Sequence, residues 1–130
     1  MKIAILTGPK EFQFQEQQIP ALLPDEVLVQ VAACGVCTSE LDMWEGKAGG
    51  DMYPRYPGHE VSGVVAGVGK DVQGLAQGDR VAVWAPGRGF AEYVVVKSKY
   101  CFPAGDLPLD LTLAEPLACA VNTVELANIS

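Results

Sequence analysis

Histidine occurs once in these 130 residues, and the nine lysines and arginines are outnumbered by sixteen aspartates and glutamates. A net charge of −7 leaves no basic face for a phosphate backbone, so a nucleic-acid partner is not expected. No apolar run approaches the roughly 20 residues that a membrane-spanning helix needs. Cysteine is also sparse, at positions 34, 37, 101 and 119, and only the first pair is close enough to read as a motif. That scatter does not describe a disulfide framework. Lys2 is followed only by Ile3-Ala4-Ile5-Leu6 before Thr7-Gly8-Pro9, too short an apolar stretch for a secretory signal. A reducing cytoplasm is the expected location, with one domain over residues 1–130. There is no internal repeat and no low-complexity tract.

Turn-formers and apolar residues are abundant instead. Fourteen glycines, nine prolines and 49% hydrophobic residues suit a turn-rich, mainly β fold. A strand is expected over Lys2–Leu6. Phe12 and Phe14, alternating with glutamine, mark a second, half-buried one. Val27 to Cys34 is apolar on both faces, which predicts a central strand. Further strands are expected at Val61–Val68, Arg80–Trp84 and Phe90–Val96. Many short strands at regular spacing predict a barrel or sandwich. Thr38–Trp44 reads as a short helix capped by Thr38 or Ser39. Residues 46–58, with four glycines and two prolines, read as a loop. From Asp110 to Asn128 the pattern turns helical, with Pro116 in a first turn or at a break.

Three stretches carry possible chemistry. Cys34-Gly35-Val36-Cys37 has no second C-x-x-C, which rules out a four-cysteine zinc knuckle, and it lacks the βαβ setting of a redox dithiol. Cys34 reads as a small buried hydrophobe at a strand end. Cys37 stands at a strand-to-helix corner, which suits an anionic ligand. His59 follows Gly58 and precedes Glu60, so an imidazole and a carboxylate share one turn. Glu40, three residues past Cys37, is a candidate acceptor for the other ring N–H of His59. Glu115 precedes Pro116 in an apolar stretch; it is either a buried carboxylate that needs a partner or an ordinary acid at a helix start. A thiol, an imidazole and a carboxylate together make a zinc site with a vacant position. The glycines of 63–69 imitate a phosphate loop, but Asp71 stands where a hydroxyl would bind magnesium, and Val72 breaks the dinucleotide pattern.

Taken in order, Gly35-Val36-Cys37-Thr38-Ser39-Glu40, Gly58-His59-Glu60, Gly78-Asp79-Arg80-Val81, Gly89-Phe90-Ala91-Glu92-Tyr93 and Glu115-Pro116-Leu117 resemble the zinc-dependent medium-chain dehydrogenases/reductases, the family of the alcohol, sorbitol and threonine dehydrogenases. The likeness covers essentially the whole chain and implies a GroES-like β-barrel with a few short helices and a C-terminal helical segment. It implies one catalytic zinc on Cys37, His59 and Glu115. Glu60 would be the neighbouring carboxylate that approaches the metal, and Ser39 the hydroxyl that takes the substrate's proton. Cys119 would face the nicotinamide, and stands as the rival third ligand. The implied activity is NAD- or NADP-linked oxidation of a small alcohol or polyol, with zinc stabilising an alkoxide for hydride transfer, or the reverse reduction of a carbonyl.

The chain departs from that pattern in three ways. Only Ala85 to Gly89 separates Trp84 from Phe90, so the four-cysteine lobe of a structural zinc is missing. Asp42 occupies the position of a proton-relay histidine. A Rossmann cofactor domain is not expected within these 130 residues, so isolated turnover is not expected either, and the apolar residues Leu117, Val121, Val124 and Leu126 should be exposed. The full-length protein is expected to be a homo-oligomer. The alternative is a metal-free GroES-like binding or scaffold module.

Overall fold

A computed structural model describes residues 1–47 and 53–127 of the chain. Strand β1 (Lys2–Gly8) is followed by β2 (Glu11–Glu16), β3 (Glu26–Cys34), α1 (Thr38–Trp44), β4 (Glu60–Val68), β5 (Arg80–Trp84), β6 (Tyr93–Lys97), β7 (Cys101–Pro103) and α2 (Ala114–Ala127). The fold is mainly β, with two α-helices and two short 3₁₀ turns. Of the expected loop over 46–58 and helix over 110–128, residues 48–52 and 128 lie outside the described residues.

A five-stranded antiparallel sheet in the order β6-β3-β4-β5-β7 forms the body. As the two-faced apolar pattern of Val27–Cys34 predicts, β3 is paired on both sides. Val27, Val29, Val61, Val65, Val81, Val83, Val94 and Val96 are all buried in one cluster. They alternate along their strands, so each strand sends one face inward, and β-branched side chains pack well on a pleated surface. Cys34 packs against the same cluster, as a small hydrophobe at a strand end would.

The hairpin β1–β2 is a separate two-stranded sheet. Single backbone bridges, Ile3 to Ala91 and Leu6 to Arg55, tie β1 to the loops around the larger sheet. Sheet pairing is therefore open rather than a closed ring of strands. β2 corrects one expectation: its strand exists, but Phe14 is 79% exposed and Phe12 only leans on Phe90. Alternation identifies a strand; burial also needs a second layer, which β2 lacks.

Helix α1 spans the expected residues, but its N-cap is Cys37 rather than Thr38 or Ser39. Pro116 sits within the first turn of α2, where its missing N–H costs nothing. That helix packs against β4 and β5, yet Leu117, Val121, Val124 and Leu126 are exposed as expected. The buried Ser62 hydroxyl on β4 donates to the Leu109 carbonyl, pinning the segment that leads into α2. No helix among the described residues is long and apolar enough to cross a membrane.

Candidate metal centre

Three elements converge at one end of the two neighbouring inner strands β3 and β4. Strand β3 ends at Cys34, and Gly35-Val36 carries the chain to Cys37 at the start of α1. The loop before β4 brings in His59, and β4 itself begins with Glu60. The donor atoms of Cys37, His59 and Glu60 all lie within 4.8 Å of one another. Two metal–ligand bonds of about 2.0–2.3 Å at a tetrahedral angle put donor atoms about 3.3–3.8 Å apart, inside that limit, and a soft thiolate, an imidazole and a carboxylate suit zinc. The donor set therefore fits the ion that the sequence pattern implies.

Glu40 organises this group. It is only 5% exposed, although a buried carboxylate is costly unless its oxygens are satisfied. One oxygen accepts the Cys37 backbone N–H at 3.0 Å. The other accepts the Gly58 N–H and lies 3.1 Å from His59 Nδ1. One side chain thus ties the thiol-bearing corner to the imidazole-bearing loop. With Nδ1–H directed to Glu40, the lone pair of His59 resides on Nε2 and is free for a metal.

Two glycines make room. Gly58 has φ +101°, and a Cβ there would lie 2.5 Å from the Phe90 backbone nitrogen. A Cβ on Gly35 would come within 2.0 Å of a Glu60 carboxylate oxygen. The Gly35 N–H donates to the Glu60 carbonyl at 2.8 Å, which fixes the end of β3 against the start of β4. On the far side of His59, the Arg88 N–H donates to the Tyr56 carbonyl and the Gly89 N–H to the Gly58 carbonyl. The histidine loop is thus clamped from both sides.

Glu115 is not part of the three-residue group. It sits in the first turn of α2, half-buried, where its Oε1 lies 2.9 Å from Cys119 Sγ and accepts from the thiol. That contact, chiefly, pushes the Cys119 thiol up, with smaller contributions from burial and from the charges of Glu115, Cys37 and Glu60. Helix α2 contacts β4, the strand that begins with Glu60. Glu115 and Cys119 line a cavity of about 590 Å³ with Trp84, Tyr100 and Phe102. Ser39 is exposed at the second position of α1, and Asp42 is exposed on the same helix. Burial, followed by the charge of Glu40, pushes the Cys34 thiol up to about 12.

Sequence reasoning missed the N-cap role of Cys37 and the pairing of loop 56–58 with loop 87–90. The Cβ-free packing of Gly35 against Glu60 also had no local signal, because it depends on two strands meeting.

An open antiparallel β fold with a thiol, an imidazole and a carboxylate meeting at one corner defines a class of domain with one candidate metal site. Residues 23–106 match the family described as the alcohol dehydrogenase GroES-like domain, and the chain belongs to that family, within the zinc-dependent medium-chain dehydrogenases/reductases. Among curated relatives, D-altritol 5-dehydrogenase of Agrobacterium fabrum is 32% identical, over 88% of this chain and 42% of its own length. L-galactonate-5-dehydrogenase of Escherichia coli is 28% identical, over 100% of this chain and 46% of its own length. The crystal structure of galactitol-1-phosphate dehydrogenase from Escherichia coli superposes with a TM-score of 0.87 at 30% identity, covering 98% of this chain and 45% of that one. The chain spans about half the length of the curated relatives it matches.

Proposed function

We propose that this chain is the metal-binding catalytic portion of a zinc-dependent, NAD(P)-linked dehydrogenase acting on polyhydroxylated alcohols and the matching ketones. The convergence of Cys37, His59 and Glu60 around one point carries the reading. The relatives named above support it, since altritol, galactonate and galactitol 1-phosphate are all polyhydroxylated carbohydrate derivatives. The share of those relatives that this chain does not span is where we place the nicotinamide site. The whole protein is taken to be cytoplasmic and homo-oligomeric.

Cys37, His59 and Glu60 would hold the zinc, with Glu115, in the first turn of α2, as the further candidate carboxylate. Bound zinc supplies Lewis acidity toward an alcohol or carbonyl oxygen, and a nicotinamide accepts or donates the hydride. The chain's own residues do the rest. Glu40 holds the Nδ1–H of His59 and so presents Nε2 to the metal side. Ser39, exposed beside Cys37, accepts the substrate's hydroxyl proton and passes its own to solvent. Asp42 stands where the family's relay histidine would be, so the onward proton route uses water or another group. Cys119 and the aromatic groove beside it face the nicotinamide side. A single zinc is expected, because Ala85-Pro86-Gly87-Arg88 offers no thiols for a second.

Metal analysis tests this. The purified chain should carry about one zinc, and Cys37→Ala and His59→Ala should each bring it close to zero. Glu60→Ala and Glu115→Ala decide which carboxylate is the stronger ligand. Unchanged zinc content in the cysteine and histidine variants removes the reading.

A further inference from the structure

The sheet face that carries Glu60 holds more than a metal donor. Glu60 pairs directly with Trp84 across β4 and β5, and Ala82 on β5 pairs with Phe102 on β7. Paired residues leave a sheet on the same side, with Cβ atoms about 4.5–5.5 Å apart, and alternation puts Ala82 and Trp84 on one side as well. The neighbouring pair Val61 and Val83 is buried in the core on the opposite side. Trp84 and Phe102 therefore share the outer face with Glu60, where they are 38% and 49% exposed.

Helix α2 packs over that face, touching β4 and β5. Its positions 114, 115, 118, 119 and 122, spaced as one side of a helix, line the cavity of about 590 Å³ whose facing wall is Trp84, Tyr100 and Phe102. That volume is in the range of ordinary small-ligand sites. Ala114 and Ala118 are small and keep the space open. Tyr100 meets the Trp84 ring at 4.7 Å between centres and 65° between planes, an edge-to-face contact that fixes the indole before any ligand arrives. Across the cavity, Glu115 Oε1 accepts the Cys119 thiol, and a carboxylate has further lone pairs to offer a hydroxyl. Asn122 adds an amide two helical turns along. One wall is aromatic; the other carries the polar groups.

We propose that this slot determines substrate specificity: the carbon chain of a polyol lies against the Trp84 ring, its hydroxyl groups turn to Glu115 and Asn122, and the reacting carbon lies at the Glu60 end. The inference rests on the dehydrogenase reading and adds the residues that hold the substrate's carbon skeleton. The C–H groups of a polyol displace water from an aromatic face, which is favourable because apolar surface is removed from water. Its hydroxyls then need donors and acceptors on the other side, or their desolvation is uncompensated. A wall of rings alone would prefer a plain hydrocarbon chain. Two unlike walls favour a ligand that carries both kinds of surface.

The test uses the full chain loaded with zinc, in a Trp44→Phe background that leaves Trp84 as the sole tryptophan. The probes are sorbitol and hexane-1,2-diol, equal in carbon number and unequal in hydroxyls. Saturation-transfer NMR of the probe gives affinities, and Trp84 emission locates it. Sorbitol should shift the emission and bind about threefold or more tightly than hexane-1,2-diol. Trp84→Ala should weaken sorbitol about tenfold, and Trp84→Phe by less, because a smaller ring remains. Asn122→Ala should weaken sorbitol about three- to tenfold and leave hexane-1,2-diol unchanged; alanine keeps the helix. Lys70→Gln, outside the slot, should change neither affinity. Tighter binding of hexane-1,2-diol overturns the inference. So does an emission that sorbitol leaves unmoved, or a sorbitol affinity that survives Trp84→Ala. Zinc content is measured on the same samples. A zinc-loaded chain whose sorbitol binding ignores Trp84 sinks only this inference. A chain that holds no zinc yet binds sorbitol through Trp84 and Asn122 sinks the catalytic reading and leaves the slot standing as a polyol site.

Discussion

His59 Nδ1 lies 3.1 Å from Glu40 Oε1, although the two residues are nineteen positions apart and on different elements. The same carboxylate takes backbone N–H groups from Cys37 and Gly58. The positions of the thiol and the imidazole are therefore set by one buried side chain rather than by two independent loops.

Replacing that side chain should loosen the metal before it unfolds the protein. Glu40→Gln keeps the volume and one acceptor but cannot satisfy all three donors. Zinc affinity should fall about 10- to 100-fold, the usual cost of losing the acceptor behind a metal-binding histidine. Glu40→Ala should also lower stability by about 1–3 kcal/mol, since buried donors are left unpaired. Chelator competition reads the first effect and chemical denaturation the second. Equal affinity in Glu40→Gln and the parent would show that Glu40 merely fills space.

Gly35→Ala and Gly58→Ala should fail differently. At Gly58 the added carbon meets fixed backbone and the residue is left-handed, so the whole fold should lose more than about 1 kcal/mol. At Gly35 the collision is with the Glu60 side chain, which can swing aside. That variant should keep most of its thermal stability while losing zinc. Thermal unfolding and metal analysis on one preparation separate the two.

Zinc should stabilise the chain by mass action. At a free concentration about 100 times Kd the gain is about 2.7 kcal/mol, and EDTA should remove it as a drop in Tm. Cys37→Ala and His59→Ala should unfold at a temperature that neither zinc nor chelator moves. A parent protein indifferent to both reagents would contradict the metal centre.

Thiol reactivity should follow burial and partners. Burial pushes Cys101 up to about 11, and burial with nearby carboxylates pushes Cys34 up to about 12, from an ordinary 9.0. Both are raised in the folded state, so the unfolded chain ionises first. Their contribution to stability is complete below about pH 9 and is lost as pH rises through 11 to 12. Cys119 is exposed yet also raised, because Glu115 accepts from its thiol. Iodoacetamide labelling at pH 8, followed by mass spectrometry, should leave Cys34 and Cys101 unmodified and modify Cys119 more slowly than a free thiol. Glu115→Gln should speed the labelling of Cys119.

Four strands of the large sheet were legible because valine alternation is a local pattern with a period of two, whereas β7 (Cys101–Pro103) has no such pattern and was not expected; α1 was legible because Thr38 and Ser39 are cap-type residues with acids in the turn that follows. Cys37, His59, Glu60 and Glu115 could be named as candidate metal donors from residue type and family order. Burial could not be read in the same way: Phe12 and Phe14 have the pattern of a half-buried strand, but nothing local says that no second layer covers them.

By itself the chain's order of residues determined which segments become strands, that the fold is mainly β and GroES-like, and which side chains have the chemistry for zinc. Only the tertiary structure decided that the donor atoms of Cys37, His59 and Glu60 lie within 4.8 Å of one another, that Glu40 ties the thiol corner to the histidine loop, and that Arg88 shares a groove with His59. Propensity and alternation act over a few neighbouring residues. Those three relationships join side chains from separate strands, loops and helices, and they exist only where packing brings those elements to one end of β3 and β4.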